Sequence, residues 1–226
     1  MASLAQKHPA NLKKTKVLLV DDHSSVREGL RLVIDAQSDL NVCGEAMEVN
    51  QALDAITNLK PAIAVIDISL DGRNGIELIK DIRLRWPRLP VLVFSMHDET
   101  VYAERAIRAG ARGFVHKRES IQSVLAAIRR IMNGEIVLSE KLANRILRGA
   151  SQNGHSSGSA AEKLTDRELE VFQLIGEGHQ SQEIARELGM SERTVETHRV
   201  NLRRKLGVVK ASQLLRHAIR WMRDRN

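Results

Sequence analysis

Five short apolar runs, Lys16–Val20, Leu40–Ala46, Ala62–Ile66, Val91–Phe94 and Gly113–His116, punctuate the first half of the chain. Runs of this length, mostly without polar alternation, predict strands covered on both faces, as in a parallel sheet. Between them apolar residues recur at helical spacing. Val26, Leu30, Val33 and Ile34 mark one helix, with Ser24 or Ser25 placed to cap it, and Ala52, Leu53, Ile56 and Leu59 mark the next. Further helices are predicted over Ile76–Arg85, with Ile79 and Ile82 inward, over Glu99–Ala109, closed by Gly110, and over Ser120–Asn133, closed by Gly134. Pro61, Pro87 and Pro90 limit how far neighbouring helices extend. Five strand–helix repeats predict an α/β unit, with helices on both faces of a parallel sheet.

The pattern then changes. A further helix is predicted over 139–148, and Gly149–Ala161, GASQNGHSSGSAA, is small and polar without apolar spacing, so it reads as a linker. Beyond it no strand pattern appears and four helices fit: Asp166–Glu177, Gln182–Leu188, Glu192–Leu206 and Ser212–Arg225. Thr165 and Glu168 have capping-box spacing, Ser191 with Thr194 opens the third helix, and Gly178 and Gly189 mark the breaks. A short helix, a Gly-containing turn and a longer basic helix make a helix-turn-helix pattern. The predicted division is a polar lead-in over 1–15, an α/β domain over 16–134, a connecting stretch over 135–161 and an all-α domain over 162–226.

Charge sharpens this division. The net charge of the 226-residue chain is +7, and the stretch from Ser191 onward carries ten Lys or Arg against three acids, an excess equal to that of the whole chain. A local basic excess predicts a polyanionic partner. Aromatic residues are 3% of the chain, too few to stack along a single strand, which favours double-stranded DNA. The single cysteine, Cys43, excludes an intramolecular disulfide and a multi-cysteine metal knuckle and fits a reducing compartment. No run reaches the roughly 20 apolar residues of a membrane span, and the start has no secretion-signal core, so the expectation is a soluble, cytoplasmic protein without a membrane partner.

The candidate chemistry lies where the strands end. They finish in Asp21 and Asp22, in Asp67, in Ser95 and in Lys117, and ligands of parallel sheets gather at the carboxyl ends of strands. Three close carboxylates repel one another unless a cation sits among them, and Mg²⁺ suits a few carboxylates, retained waters and phosphate oxygens. A carboxylate nucleophile, a hydroxyl and an ammonium beside such an ion fit acceptance of a phosphoryl group.

These residues carry a resemblance. Lys16–Gly134, through the Asp21–Asp22 pair, VIDISLDGRNG, VFSMHDE and GFVHK, resembles the receiver domain of bacterial two-component response regulators. Glu162–Asp224, through LTDRELEVFQLIGEG, SQEIARELGMSERTVETHR and NLRRKLGV, is similar to the LuxR-type helix-turn-helix domain, in the order of the NarL/FixJ subfamily. The resemblance implies a flavodoxin-like receiver with strand order 2-1-3-4-5, followed by an all-α four-helix DNA-binding domain. It implies Asp67 as phosphoacceptor, Ser95 and Lys117 as the groups that sense the phosphoryl, and Phe114 as a rotating switch aromatic. Mg²⁺ would be held by Asp21, Asp22, Asp67 and the backbone carbonyl of Ser69. The loop after Asp67 carries Asp71 where the family usually has proline, which adds negative charge near the site.

In the second domain the resemblance places the helix Glu192–Leu206 in the major groove. Helical spacing puts Glu196, Thr197 and Val200 on one side for base contact, beside Arg193 and Thr194 at the helix start, with Val195, Leu202 and Leu206 available to the core. Arg199, Arg203, Arg204, Lys205 and Lys210, with Arg193, are expected on phosphates, and His198 is expected to be hydrogen-bonded within the domain. The function so implied is a DNA-binding response regulator, not an enzyme beyond slow self-dephosphorylation. A sensor histidine kinase, promoter DNA, a second phosphorylated copy and RNA polymerase are its expected partners. Two rivals stand beside it. One is an aspartate-based phosphatase, for which position 69 supplies serine rather than a second acid; the other is a DNA-binding protein whose receiver is a phosphorylation-independent dimerisation module.

Overall fold

The computed structural model describes residues 14–70, 73–140, 142–144 and 163–223. The predicted lead-in up to 13, the linker stretch 149–161, the residues Asp71 and Gly72, and half of the helix expected over 139–148 lie outside them, while 140 and 142–144 are helical. In chain order the first half runs β1 (Thr15–Val20), α1 (Ser24–Asp35), β2 (Leu40–Ala46), α2 (Val49–Leu59), β3 (Ile63–Ile66), β4 (Ser69–Leu70), β5 (Arg73–Asn74), α3 (Gly75–Arg85), β6 (Val91–Ser95), α4 (Glu99–Ala109), β7 (Gly113–His116) and α5 (Ile121–Met132). The second half gives α6 (Asp166–Gly176), α7 (Ser181–Glu187), α8 (Glu192–Leu206) and α9 (Ala211–Arg223).

The five main strands are parallel in the order β2-β1-β3-β6-β7, which is 2-1-3-4-5 when the small β4–β5 hairpin is left uncounted. Successive residues of each strand serve opposite faces. Leu18, Val20, Ala64, Ile66, Val91, Val93 and Phe114 pack under α2, α3 and α4, while Val17, Leu19, Ile63, Val65, Leu92, Phe94 and Val115 pack under α1 and α5. Both faces are therefore dry, which is why these strands read as apolar runs.

The hairpin is a departure from the expected plain loop: Ser69 pairs with Asn74 and Leu70 with Arg73. It works as a brace, because Asn74 Oδ1 then accepts from Ile76 N at 2.7 Å and starts α3. The cap of α1 also differs. His23, not Ser24 or Ser25, is its N-cap; its side chain makes no cap bond, with Nδ1 2.6 Å from Asp22 Oδ1, and its own N–H donates to Asp21 Oδ1 at 3.0 Å.

In the second half the predicted capping box is present: Thr165 Oγ1 accepts from Glu168 N, and Thr165 N donates to Glu168 Oε2. Val195 and Leu202 hold α8 to α6 and α7 by full burial. The two halves pack directly on each other. Leu164, Leu169 and Phe172 belong to the same buried cluster as Ile79, Tyr102, Ala103 and Ala106. Around that contact Asp166 receives Lys80 Nζ at 2.8 Å and Arg105 Nη1 at 2.7 Å, Leu164 O receives Arg105 Nη2, and Tyr102 Oη donates to Gln173 Oε1.

Gly75 has space for no side chain. A Cβ built there would lie 2.1 Å from the Asp67 carbonyl oxygen and 2.9 Å from Ile68 Cα, both backbone atoms. Gly75→Ala is therefore expected to destabilise the first domain by about 3 kcal/mol, as overpacking against rigid backbone does. The check is the first transition in urea denaturation followed by circular dichroism; an unshifted midpoint would show that the loop yields.

Candidate functional site

The site residues follow directly from the strand register. Val20 pairs with Ile66 and Ser95 with His116, so the next residues, Asp21, Asp67 and Lys117, leave the sheet side by side. The ladder continues one step past the strands to hold them: Asp21 N donates to Ala46 O, Asp67 N to Val20 O and Lys117 N to Ser95 O. Their main chains are fixed before any side chain is considered.

At the centre is the Lys117 ammonium, 2.6 Å from Asp21 Oδ2 and 2.6 Å from Asp67 Oδ2, with all three side chains buried. Burial pushes the Asp21 carboxyl up, the Asp67 charge adds to this, and Lys117 only partly offsets them. For Lys117, burial opposes the charge, but the two carboxylates overcome it and hold the ammonium above its ordinary range. Asp67 Oδ1 is buried with no hydrogen-bond partner among the described residues. Ligand oxygens of Asp21, Asp22 and Asp67, with one ring nitrogen of His23, all lie within 4.8 Å of one another. His23 Nδ1 is 2.6 Å from Asp22 Oδ1. A hard dication fits this largely oxygen donor set, since one Lys against three acids leaves the cluster negative and one buried carboxylate oxygen unpartnered.

Ser95 is fully buried at the end of β6, and its Oγ accepts weakly from His97 N at 3.4 Å. Ser69 Oγ lies 2.9 Å from His97 Nε2, and the His97 ring stacks on Tyr102 with centroids 4.3 Å apart. Phe114 is 3% exposed and packed inside the cluster beneath α4. Two residues missed from the sequence complete the frame. Arg27, nearly buried, donates to Asp21 O at 2.6 Å and to Glu45 Oε2 at 3.1 Å, pinning the loop that carries both acids. Asn74, on β5, bonds into the second domain at Glu170. An arginine on an otherwise amphipathic helix and an asparagine in a loop give no period that would single them out.

On α8 the predicted base-facing side is open: Arg193, Thr194, Glu196, Thr197 and Val200 are exposed, as are Arg204 and Lys210, while Arg199 and Arg203 are half-buried. Ser181 Oγ donates to Glu196 Oε1, and Arg199 Nε lies 3.7 Å from the same oxygen, so part of that acid's charge is answered within the domain. Lys205 departs from expectation. Its Nζ is 2.6 Å from Glu168 Oε2, tying α8 to α6; burial resists the Glu168 charge, but Lys205 and the Thr165 N–H hold that carboxyl below its ordinary range. His198 also differs, since its Nδ1 is buried without a hydrogen-bond partner among the described residues, and burial pushes its pKa down.

Comparison with known proteins accords with this geometry. Residues 17–129 match the response regulator receiver domain, and residues 162–218 match the bacterial regulatory proteins of the luxR family. The transcriptional regulatory protein LiaR of Bacillus subtilis is 37% identical over 209 residues, 91% of this chain and 97% of the relative. The oxygen regulatory protein NreC of Staphylococcus aureus is 29% identical over 210 residues, with the same coverage. Among solved structures, RcsB of Salmonella enterica serovar Typhimurium, bound to promoter P1flhDC in the presence of the phosphomimetic BeF3-, aligns with a TM-score of 0.60 and 25% identity over 91% of this chain and 98% of that one. A LuxR-family two-component response regulator from Aurantimonas sp. aligns with a TM-score of 0.57 and 32% identity, over 62% of this chain and all of that one. No described helix is long and apolar enough to cross a membrane. With both halves matched, and in this order, the chain belongs to the two-component response regulators of the NarL/FixJ family, a receiver joined to a LuxR-type DNA-binding domain.

Proposed function

We propose that this response regulator is switched by phosphorylation of Asp67 and that the switch acts on how the DNA-binding domain is held. The observation that carries the proposal is the unpartnered, buried Asp67 Oδ1 beside the Lys117 ammonium. In the transfer a carboxylate oxygen of Asp67 attacks phosphorus, the P–N bond to a kinase histidine breaks, and the leaving ring nitrogen keeps the bonding pair while the ring takes a proton from water. Lys117 and Ser95 then bind phosphoryl oxygens, and Lys117 turns from two carboxylates toward the new charge, about two negative units near neutral pH. Mg²⁺ held by Asp21, Asp22, Asp67 and the Ser69 carbonyl supplies positive charge to those oxygens when bound.

Docking of α6 on α3 and α4 leaves the base-facing side of α8 exposed, so the docked state does not work by covering it. What docking restricts is reach. Two recognition helices must meet half-sites about one helical turn apart, and a domain tied to its own receiver is not free to adopt that spacing. Release after phosphorylation, followed by pairing of two copies on promoter DNA, is therefore the reading the contacts support. Because α4 already contributes Arg105 and Tyr102 to the domain contact, release precedes any pairing through that face. The RcsB structure, bound to a promoter in the presence of a phosphomimetic, supports by likeness the link between a phosphoryl-like group and promoter binding.

Incubation with a small-molecule phosphodonor and Mg²⁺ is expected to label the wild type and not Asp67→Asn; equal uptake by both would remove Asp67 as acceptor. Lys117→Met leaves buried carboxylates without their cation and is expected to cost about 3 kcal/mol, with millimolar Mg²⁺ recovering more stability than in the wild type. Thermal melts with and without MgCl₂ read both effects. On the DNA side, Arg204→Ala is expected to reduce the steepness of the log K against log salt plot by about one unit. Lys205→Ala instead strips the partner from buried Glu168, and its loss is expected first in the melting temperature of the second domain.

A further inference from the structure

The contacts between the two domains are not equivalent. Lys80, Arg105 and Tyr102 lie on α3 and α4, whereas Asn74 lies on the acceptor loop itself, seven positions after Asp67. Asn74 is 1% exposed and its Nδ2 donates to Glu170 Oε1 at 2.6 Å. The orientation of that amide is dictated by the other bond it makes: Oδ1 accepts from Ile76 N at the start of α3, so the Nδ2 side must face Glu170.

Glu170 is a demanding partner. It is 4% exposed, and burial pushes its carboxyl up to about 7, although Arg167 Nη1 lies 2.8 Å from Oε2 and Asn74 donates to Oε1. Asp166, on the same helix, adds a repelling charge, itself answered by Lys80 of α3 and Arg105 of α4. A carboxylate held this marginally depends on each donor it has.

Both ends of the bond lead somewhere specific. On one side Gly75 N donates to Ile68 O at 2.7 Å, and Gly75 packs against the Asp67 carbonyl too tightly to admit a Cβ. On the other, Arg167 also donates to Leu188 O, at the end of α7, where the chain turns toward the recognition helix. A continuous set of contacts therefore runs from the Asp67 backbone through Asn74, Glu170 and Arg167 to the helix-turn-helix turn.

We propose that Asn74 is the docking latch of this protein: its amide holds Glu170 of the DNA-binding domain to the acceptor loop, so displacement of that loop opens the domain contact directly. The latch rests on the phosphorylation reading only for its trigger; the docked state it maintains does not. Asn74→Asp isolates the effect. Aspartate keeps the N-cap acceptor that α3 needs, but sets a carboxylate against Glu170.

Small-angle scattering of the full-length, unphosphorylated chain provides the readout, with circular dichroism reporting that both domains are folded. N74D is expected to shift the docked-to-open ratio by about tenfold or more, the scale of a lost bond to a buried charged group. E170Q in the N74D background is expected to restore the compact form, because glutamine accepts from Arg167 through its oxygen and donates through its nitrogen to the carboxylate introduced at position 74. Asn74→Ser, which keeps a capping oxygen but is too short to reach Glu170, is expected to open the chain as well. A compact N74S chain overturns the latch, and so does an open N74D chain that E170Q does not close. None of these measurements uses phosphate, so a failure of Asp67 as acceptor appears only in the uptake experiment.

Discussion

The interaction on which the structure depends is the sharing of one buried ammonium between two buried carboxylates, Lys117 between Asp21 and Asp67. Removing an ion from water costs several kcal/mol, so three ions at the end of a dry sheet persist only where geometry is held from outside. Here the holding is done by backbone: each of the three residues continues a strand ladder by one hydrogen bond, and Arg27 clamps the Asp21 carbonyl to Glu45 on β2. The compensation is incomplete by design of the charge count. One lysine does not neutralise Asp21, Asp22 and Asp67, and the resulting unsatisfied field is what a dication or a phosphoryl-bound Lys117 would answer. The sheet can be regarded as a frame for keeping that imbalance in place.

The same economy governs the contact between domains. Asp166 sits at the first position of α6, where a negative charge is already favoured by the helix N-terminus, and it additionally takes Lys80 and Arg105 from the receiver. Each such pair is partly exposed on its basic side and contributes modestly. Leu164, Leu169 and Phe172 share one buried apolar cluster with Ile79, Tyr102 and Ala106, and the polar contacts, the buried Asn74–Glu170 bond among them, fix how the domains meet. An interface of that kind can open without either domain losing its own core, because Val195, Leu202 and Leu214 remain packed inside the second domain.

How much of this was legible in the sequence follows from the same physics. A strand buried on both faces is an apolar run, so the sheet could be read from β1, β3 and β6, and the site from what stood at the ends of those runs. Local caps were legible too, since Thr165, Glu168, Ser191 and Thr194 act within one turn. What spacing does not reach is either tertiary approach or a competing local bond. Lys205 looks like one more cation on a basic helix until Glu168 is placed beside it, and Ser24 looks like a cap until Asp21 claims the His23 N–H. Which neighbours enclose Phe114 beneath α4 is likewise visible only in the fold. Asn74 and Glu170 are 96 positions apart, and no spacing rule links them.

Two physically different lines leave Asp67. One is electrostatic and passes through Lys117, whose ammonium pairs with Asp21 and Asp67 and would respond to charge added at Asp67. The other is steric and passes through backbone, because the Asp67 carbonyl touches Gly75 and Gly75 adjoins Asn74. An electrostatic line is graded and is weakened by any water or salt that enters, whereas a close-packed backbone contact transmits displacement with little loss. A receiver that relied on Lys117 alone would have to move α4 before the second domain could respond. With Asn74 on the acceptor loop, the loop that would accommodate a phosphoryl group on Asp67 is also the loop that grips Glu170, so the proposed chemistry and its first mechanical consequence would occupy one stretch of chain.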